Sequence, residues 1–178
     1  MTAMHAFADE SARRDYLVCT VLLALKDVAD TRQALRALCM RGQRRIHMKS
    51  EGDRRRREIL SNVAALDLQA HIYSAGLRTR PNRTARDDCV RAAVPDLLAL
   101  GAVRLVLESC DQDHQDRQVI REAAQKVPAA GDFAYGHDRP GVEPLLWLPD
   151  IVAWAYGRDG DWRRRAAGVI ATVTSVGS

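Results

Sequence analysis

The stretch that most constrains this chain is Val103 to Asp116, reading VRLVLESCDQDHQD. The run Val103 to Leu107 is short enough for a fully buried strand, and carboxylates follow it at once: Glu108, Asp111, Asp113 and Asp116. Open α/β sheets place their chemistry just beyond strand ends, and like charges crowded there repel unless cations or protons offset them. Aspartates after a strand also serve turns and helix caps. What separates a metal site from ordinary capping is whether acids from elsewhere in the chain converge on this one.

At 178 residues the chain is long enough for one domain with its own core. Its cysteines, Cys19, Cys39, Cys89 and Cys110, make no C-x-x-C pair, which argues against a zinc knuckle and fits reduced thiols in a cytoplasmic protein. The run Tyr16 to Leu25, preceded by Arg13 and Arg14, mimics a signal peptide. It is too short to span a bilayer, and Lys26-Asp27 stands where a cleavage site would be, so it is read as a buried strand with no membrane role.

The net charge of +4 permits an acidic partner without demanding one. Arginine supplies most of the positive charge, although a comparable abundance of alanine makes genome composition a competing cause. The distribution is more informative: Arg41 to Arg57 holds Arg41, Arg44, Arg45, Lys49, Arg54, Arg55, Arg56 and Arg57 against Glu51 and Asp53. A planar guanidinium suits phosphate oxygens, so Arg44, Arg45, His47, Arg54, Arg55, Arg56 and Arg57 are the candidate nucleic-acid contacts. A solvated helix face is the plainer reading of the same run, since Ile59, Leu60, Val63 and Leu66 form the apolar stripe that turns most of Arg54 to Arg57 outward.

Taken in order, a strand over Ala3 to Ala8 ends on Asp9-Glu10-Ser11 and turns through Arg13 into the strand Tyr16 to Leu25. A helical segment over about 27–66 follows, capped first at Asp27 or Asp30 and again at Ser50, with Asp53 in the box position. Leu68 to Tyr73 reads as a third strand. The next helix is capped at Thr84 and kinked or divided at Pro95, and it leads to the organising strand. A helix from Gln115 to Val127, a short strand over Asp132 to Gly136 and a buried helix from Glu143 with Asp150 in its middle complete a domain over 1–157. The segment 158–178 reads as a loosely held basic tail.

Three acids occupy informative places. Asp9 closes the first strand, Glu108 closes the organising strand, and Asp150 sits among Leu146, Trp147, Leu148, Ile151 and Val152. A carboxylate in such surroundings is expensive unless paired, hydrogen-bonded or bound to a metal; the alternative is that Pro149-Asp150 opens a new helical turn. Asp9-Glu10-Ser11, the later strand-closing acid and the helix LLWLPDIVAWA together resemble an uncharacterised bacterial family of the ribonuclease-H-like superfamily. The resemblance implies an α/β fold, a mixed five-stranded sheet flanked by helices. It also implies a carboxylate cluster of Asp9, Glu108 and Asp150 around Mg²⁺ or Mn²⁺, with Glu10, Asp113 and Asp116 as additional candidates.

The implied activity is two-metal-ion hydrolysis of nucleic-acid phosphodiesters. Glu108, where superfamily enzymes more often carry Asp, and the helices between the second and third strands are departures from the pattern. The alternative is a non-catalytic nucleic-acid- or protein-binding module on the same fold. Few aromatics, and none in the basic segment, speak for backbone contacts over base stacking. Trp147 and Trp154 share a helix face and are read as core in preference to a dimer surface.

Overall fold

The computed structural model describes residues 2–78, 80–128 and 130–177; the first and last residues of the spans expected for domain and tail, Met1 and Ser178, lie outside them. Strands β1 (Met4–Ala12), β2 (Asp15–Ala24), β3 (Gln69–Gly76), β4 (Ala102–Glu108), β5 (Ala134–Asp138) and β6 (Ile170–Val176) form one sheet in the order β5-β4-β1-β2-β3-β6. β2 runs antiparallel to both its neighbours, and the other pairings are parallel. The C-terminal ends of β1, β3, β4, β5 and β6 therefore share one edge of the sheet.

Helices cover both faces, which is why β2 reads as an unbroken apolar run: every residue from Tyr16 to Leu23 is buried. Alternate side chains go to opposite layers. Phe7, Leu17, Cys19, Val21 and Ile72 meet α1 (Val28–Leu38), α2 (Asp53–Ala64), α5 (Trp147–Gly157) and α6 (Gly160–Ala166), whereas Ala6, Ala8, Val18 and Tyr73 meet α3 (Asn82–Ala99) and α4 (Asp113–Gln125). No helix among the described residues is long and apolar enough to cross a membrane.

The sheet has six strands where five were expected. The residues read as a loose tail form α6 and then β6, which pairs with β3 from Ala70↔Ile170 to Ala75↔Val176. Helix starts also differ. α2 opens at Asp53 behind Gly52 and α3 at Asn82 behind Pro81, without a side-chain cap from Ser50 or Thr84. Pro95 lies inside α3 without ending it, because burial of Cys89, Val90, Val94 and Leu97 against the sheet outweighs a penalty of about 3 kcal/mol. Asp150 falls in the first turn of α5, and Pro149 with it, where a missing N–H leaves no helical bond unmade.

Candidate functional site

Parallel register brings the first two acids together. Ala8 of β1 pairs with Leu107 of β4, so Asp9 and Glu108 follow side by side at the strand ends. Both leave the sheet on the face of Phe7 and Val106, beneath α5, whose first turn carries Asp150. Burial, then the charges of Glu108, Glu10 and Asp150, push the Asp9 carboxyl well above its ordinary range; the Glu10 N–H, donating to its Oδ1 at 2.7 Å, works the other way. Burial raises Glu108 too, against Arg45 and a hydrogen bond with Asp9.

The connection between α1 and α2 lies over this cluster. Arg45 places Nη1 3.7 Å from Glu108, and His47 places Nδ1 3.4 Å from Asp150, whose Oδ2 also accepts the Met48 N–H at 3.0 Å. The bond to Asp150 raises the His47 pKa against the effect of burial. A bidentate pair between Arg32 and Glu143, at 3.0 and 2.8 Å, ties α1 to the approach to α5 and holds the connection in place.

Glu10, Asp113 and Asp116 lie elsewhere, on the layer of α3 and α4. Glu10 is next to Asp9 in sequence, but its side chain leaves on the opposite face and pairs with Arg86. Arg86, 2% exposed, also grips both oxygens of Asp116 at 2.9 Å. The remaining valence of Asp116 faces His137 Nε2 at 2.9 Å. Burial alone would raise Asp116; the bonds from His137 and Arg86 outweigh it and hold its pKa low. Asp113 accepts from the Cys110 N–H and the Ser109 hydroxyl, both at 2.7 Å, as an acid at a helix start does.

Ligand atoms of Cys110, Asp113 and Asp116 all lie within 4.8 Å of one another. A divalent ion does not fit there, because Arg86 already occupies both Asp116 oxygens and would repel it. Asp9, Glu108 and Asp150 are more widely spread than that set, offer oxygen donors alone, and carry charge only partly offset by Arg45 and His47. Oxygen donors with charge left over are what a hard cation takes.

The basic segment divides. Arg44, Arg54 and Arg57 are exposed, Arg57 lying over the Trp162 ring. Arg55 donates to the Leu38 carbonyl, and Arg56 donates to the Met48 and Lys49 carbonyls at 3.0 and 3.2 Å, so both brace the loop that carries Arg45 and His47. Trp147 is core, as expected, and donates to the Pro140 carbonyl at 2.7 Å; Trp154 packs edge-on against Trp162. Arg86 escaped notice in the sequence. Its signal was present, for it heads the apolar stripe Cys89, Val90, Ala93, Val94 and Leu97, the same anomaly that singled out Asp150.

Strand order, strand directions and helices on both faces define a ribonuclease-H-like fold. Two solved structures show the likeness. A chain of the PCNA:RNase HII complex from Archaeoglobus fulgidus matches 94% of this chain and 75% of its own length, with TM-score 0.55 and 12% identity. A point variant of Bst-RNase HIII matches 95% of this chain with TM-score 0.56 and 10% identity, and this chain spans 56% of its length. No protein-family model matches the chain, and no curated protein matches it in sequence.

Proposed function

We propose that this chain is a divalent-metal-dependent hydrolase of nucleic-acid phosphodiesters, in which Asp9, Glu108 and Asp150 hold Mg²⁺ or Mn²⁺. The observation that carries the reading is the convergence of carboxylates from β1, β4 and α5 on one sheet face, with Asp9 driven toward its neutral form. Such a cluster relaxes when a hard cation takes up its charge. Bound there, a pair of ions supplies an activated water and a stabilised leaving oxygen. Asp9, which feels the charge of both Glu108 and Asp150, would be the central ligand, and Arg45 and His47 would turn from the carboxylates toward phosphate oxygens. On this reading the chain acts in the cytoplasm, in keeping with its free thiols. It also belongs to the uncharacterised bacterial family that Asp9-Glu10-Ser11 and LLWLPDIVAWA resemble.

The test is Asp150→Asn. Metal-dependent cleavage of DNA, RNA or hybrid should be abolished, while binding stays intact or tightens because a carboxylate near phosphates has gone. Unchanged cleavage in the variant would remove Asp150 from the site. One observation favours a non-catalytic binding module instead: Arg45 and His47 already face two of the carboxylates. That reading predicts no wild-type cleavage with either metal on any of these substrates.

A further inference from the structure

On the face and edge that carry Asp9, the sheet continues through β2 and β3 to β6. Ser74 of β3 leaves on the α5 side, as Ile72 does, Asp15 of β2 pairs with Gly76, and Ser175 of β6 pairs with Ser74. Past the C-terminal end of α5 these residues floor a cavity of about 620 Å³, and a second of about 170 Å³ adjoins it, sharing Arg14, Asp15 and Ser74. The walls are strongly basic. Arg14, Arg78 and Arg80 line the larger cavity, and Arg13 and Arg163 the smaller, against the carboxylates of Asp15 and Asp159.

The guanidinium groups differ in how committed they are. Arg80 bonds Asp88 at 2.8 Å and the Gly177 carbonyl, which fixes the end of β6 as one wall. Arg163 pairs with Asp159, and Arg13 donates to the Gly157 carbonyl at 3.3 Å. Arg14 and Arg78 are exposed, and among the described residues neither has a carboxylate within 4.0 Å. Two uncommitted guanidiniums, lining the same cavity as Ser74 and Ser175, are an arrangement for phosphate oxygens.

The geometry points to this trough as the track of a nucleic-acid backbone, contacting phosphates remote from the one beside Asp9. Open, made of two adjoining cavities and with Tyr156 as the one aromatic in its lining, it suits a chain of phosphodiesters better than a base or a small anion. Strands lie about 4.8 Å apart, so β3 and β6 stand roughly 10 to 15 Å from β1 across the sheet. For a duplex whose axis crosses the strands, with an axial rise of about 3.4 Å per base pair, that offset corresponds to three or four base pairs. The sixth strand builds the far wall, so the trough is a property of the sheet's extension beyond the other five strands, of which β1 and β4 carry Asp9 and Glu108. The placement of the scissile phosphate rests on the hydrolase reading; the trough's affinity for a backbone does not.

The experiment is fluorescence anisotropy of labelled double-stranded DNA and RNA–DNA hybrid in EDTA, titrated at several salt concentrations. With Arg14 and Arg78 both changed to Gln, the slope of log affinity against log salt should fall by about two units, and affinity should drop roughly tenfold or more. Arg14→Lys with Arg78→Lys should keep the slope. Arg78→Gln alone, at an exposed position, should lose about one unit and guards against a folding defect in the pair. Equal slope and affinity in wild type and the double Gln variant would overturn the trough, as would absence of any wild-type binding. A lost slope with no metal-dependent cleavage would uphold the trough and sink the hydrolase; cleavage with an unaltered slope would do the reverse.

Discussion

Arg86 carries a charge it cannot shed into a site that is 2% exposed, and Asp116, with no exposure at all, is its principal counter-charge. Replacing Arg86 by Met would leave that carboxylate buried with only His137 beside it. The loss should be about 3 kcal/mol, the lower end of what breaking a buried pair entails, and urea unfolding at neutral pH measures it. Acid then has a definite sign. Because the folded pKa of Asp116 is depressed, its contribution is complete above the unfolded value near 3.9 and is lost as pH falls through the folded one. The gap between wild type and Arg86→Met should therefore close in acid, and a gap that widened there would refute the pairing. Asp150 was legible in the sequence because a lone carboxylate among leucines and tryptophans is conspicuous. Arg86 carries the same kind of signal, at the head of an apolar stripe, but in an arginine-rich chain one more arginine on a helix is far less conspicuous.

Among the elements, β6 does most that the sequence did not announce. Its residues are half-exposed, so IATVTSV lacks the alternation that marks a strand with one wet face and the apolar run that marks a buried one. What makes it a strand is its partner: it closes the open side of β3, and Thr172 Oγ1 meets His71 Nδ1 at 2.8 Å across the pair. Removing residues 170–178 should expose an apolar, well-formed edge and produce self-association, detected as oligomers in size-exclusion chromatography where the full chain gives one species. A well-behaved monomer of that truncation would show that β3 needs no cover. The doubly covered strand β2 was plain in the sequence for the opposite reason, as both faces demand apolar side chains, whereas β4, expected to be buried from Val103 to Leu107, is buried only over Leu105 to Leu107, with Val103 and Arg104 exposed. Helix starts were displaced because Ser50 and Thr84 spell caps that Gly52 and Pro81 occupy instead.

At the scale of the molecule, charge is sorted by face and edge: acids beneath the first turn of α5, arginines beyond its last. The acidic half should respond to cations. Mg²⁺ or Mn²⁺ should raise the melting temperature of the wild type, and Asp9→Asn, although more stable without metal because a repulsion is gone, should lose most of that gain. Equal shifts in the two proteins would place metal binding elsewhere. The mixed sheet followed from the order of elements; the grouping of Asp9 with Glu108 was implied only by the resemblance, and it is the parallel register of β1 with β4 that sets the two strand ends side by side. The loop that lays Arg45 and His47 over the acids did not follow, since its path is set by bonds from the Arg55 and Arg56 side chains to backbone carbonyls that no local pattern encodes.

The sheet's parallel pairings also fix how the chain reaches this state. β1 with β4, and β3 with β6, each join residues roughly a hundred positions apart, so neither contact forms until a long loop has closed. The hairpin of β1 and β2, joined through Arg13 and Arg14, can form early and alone. The carboxylate cluster therefore cannot assemble with it, and Asp9 waits, solvated and ordinary in its acidity, until β4 arrives. Refolding should be correspondingly slow for a domain of this size, with acquisition of the site a late event on the pathway.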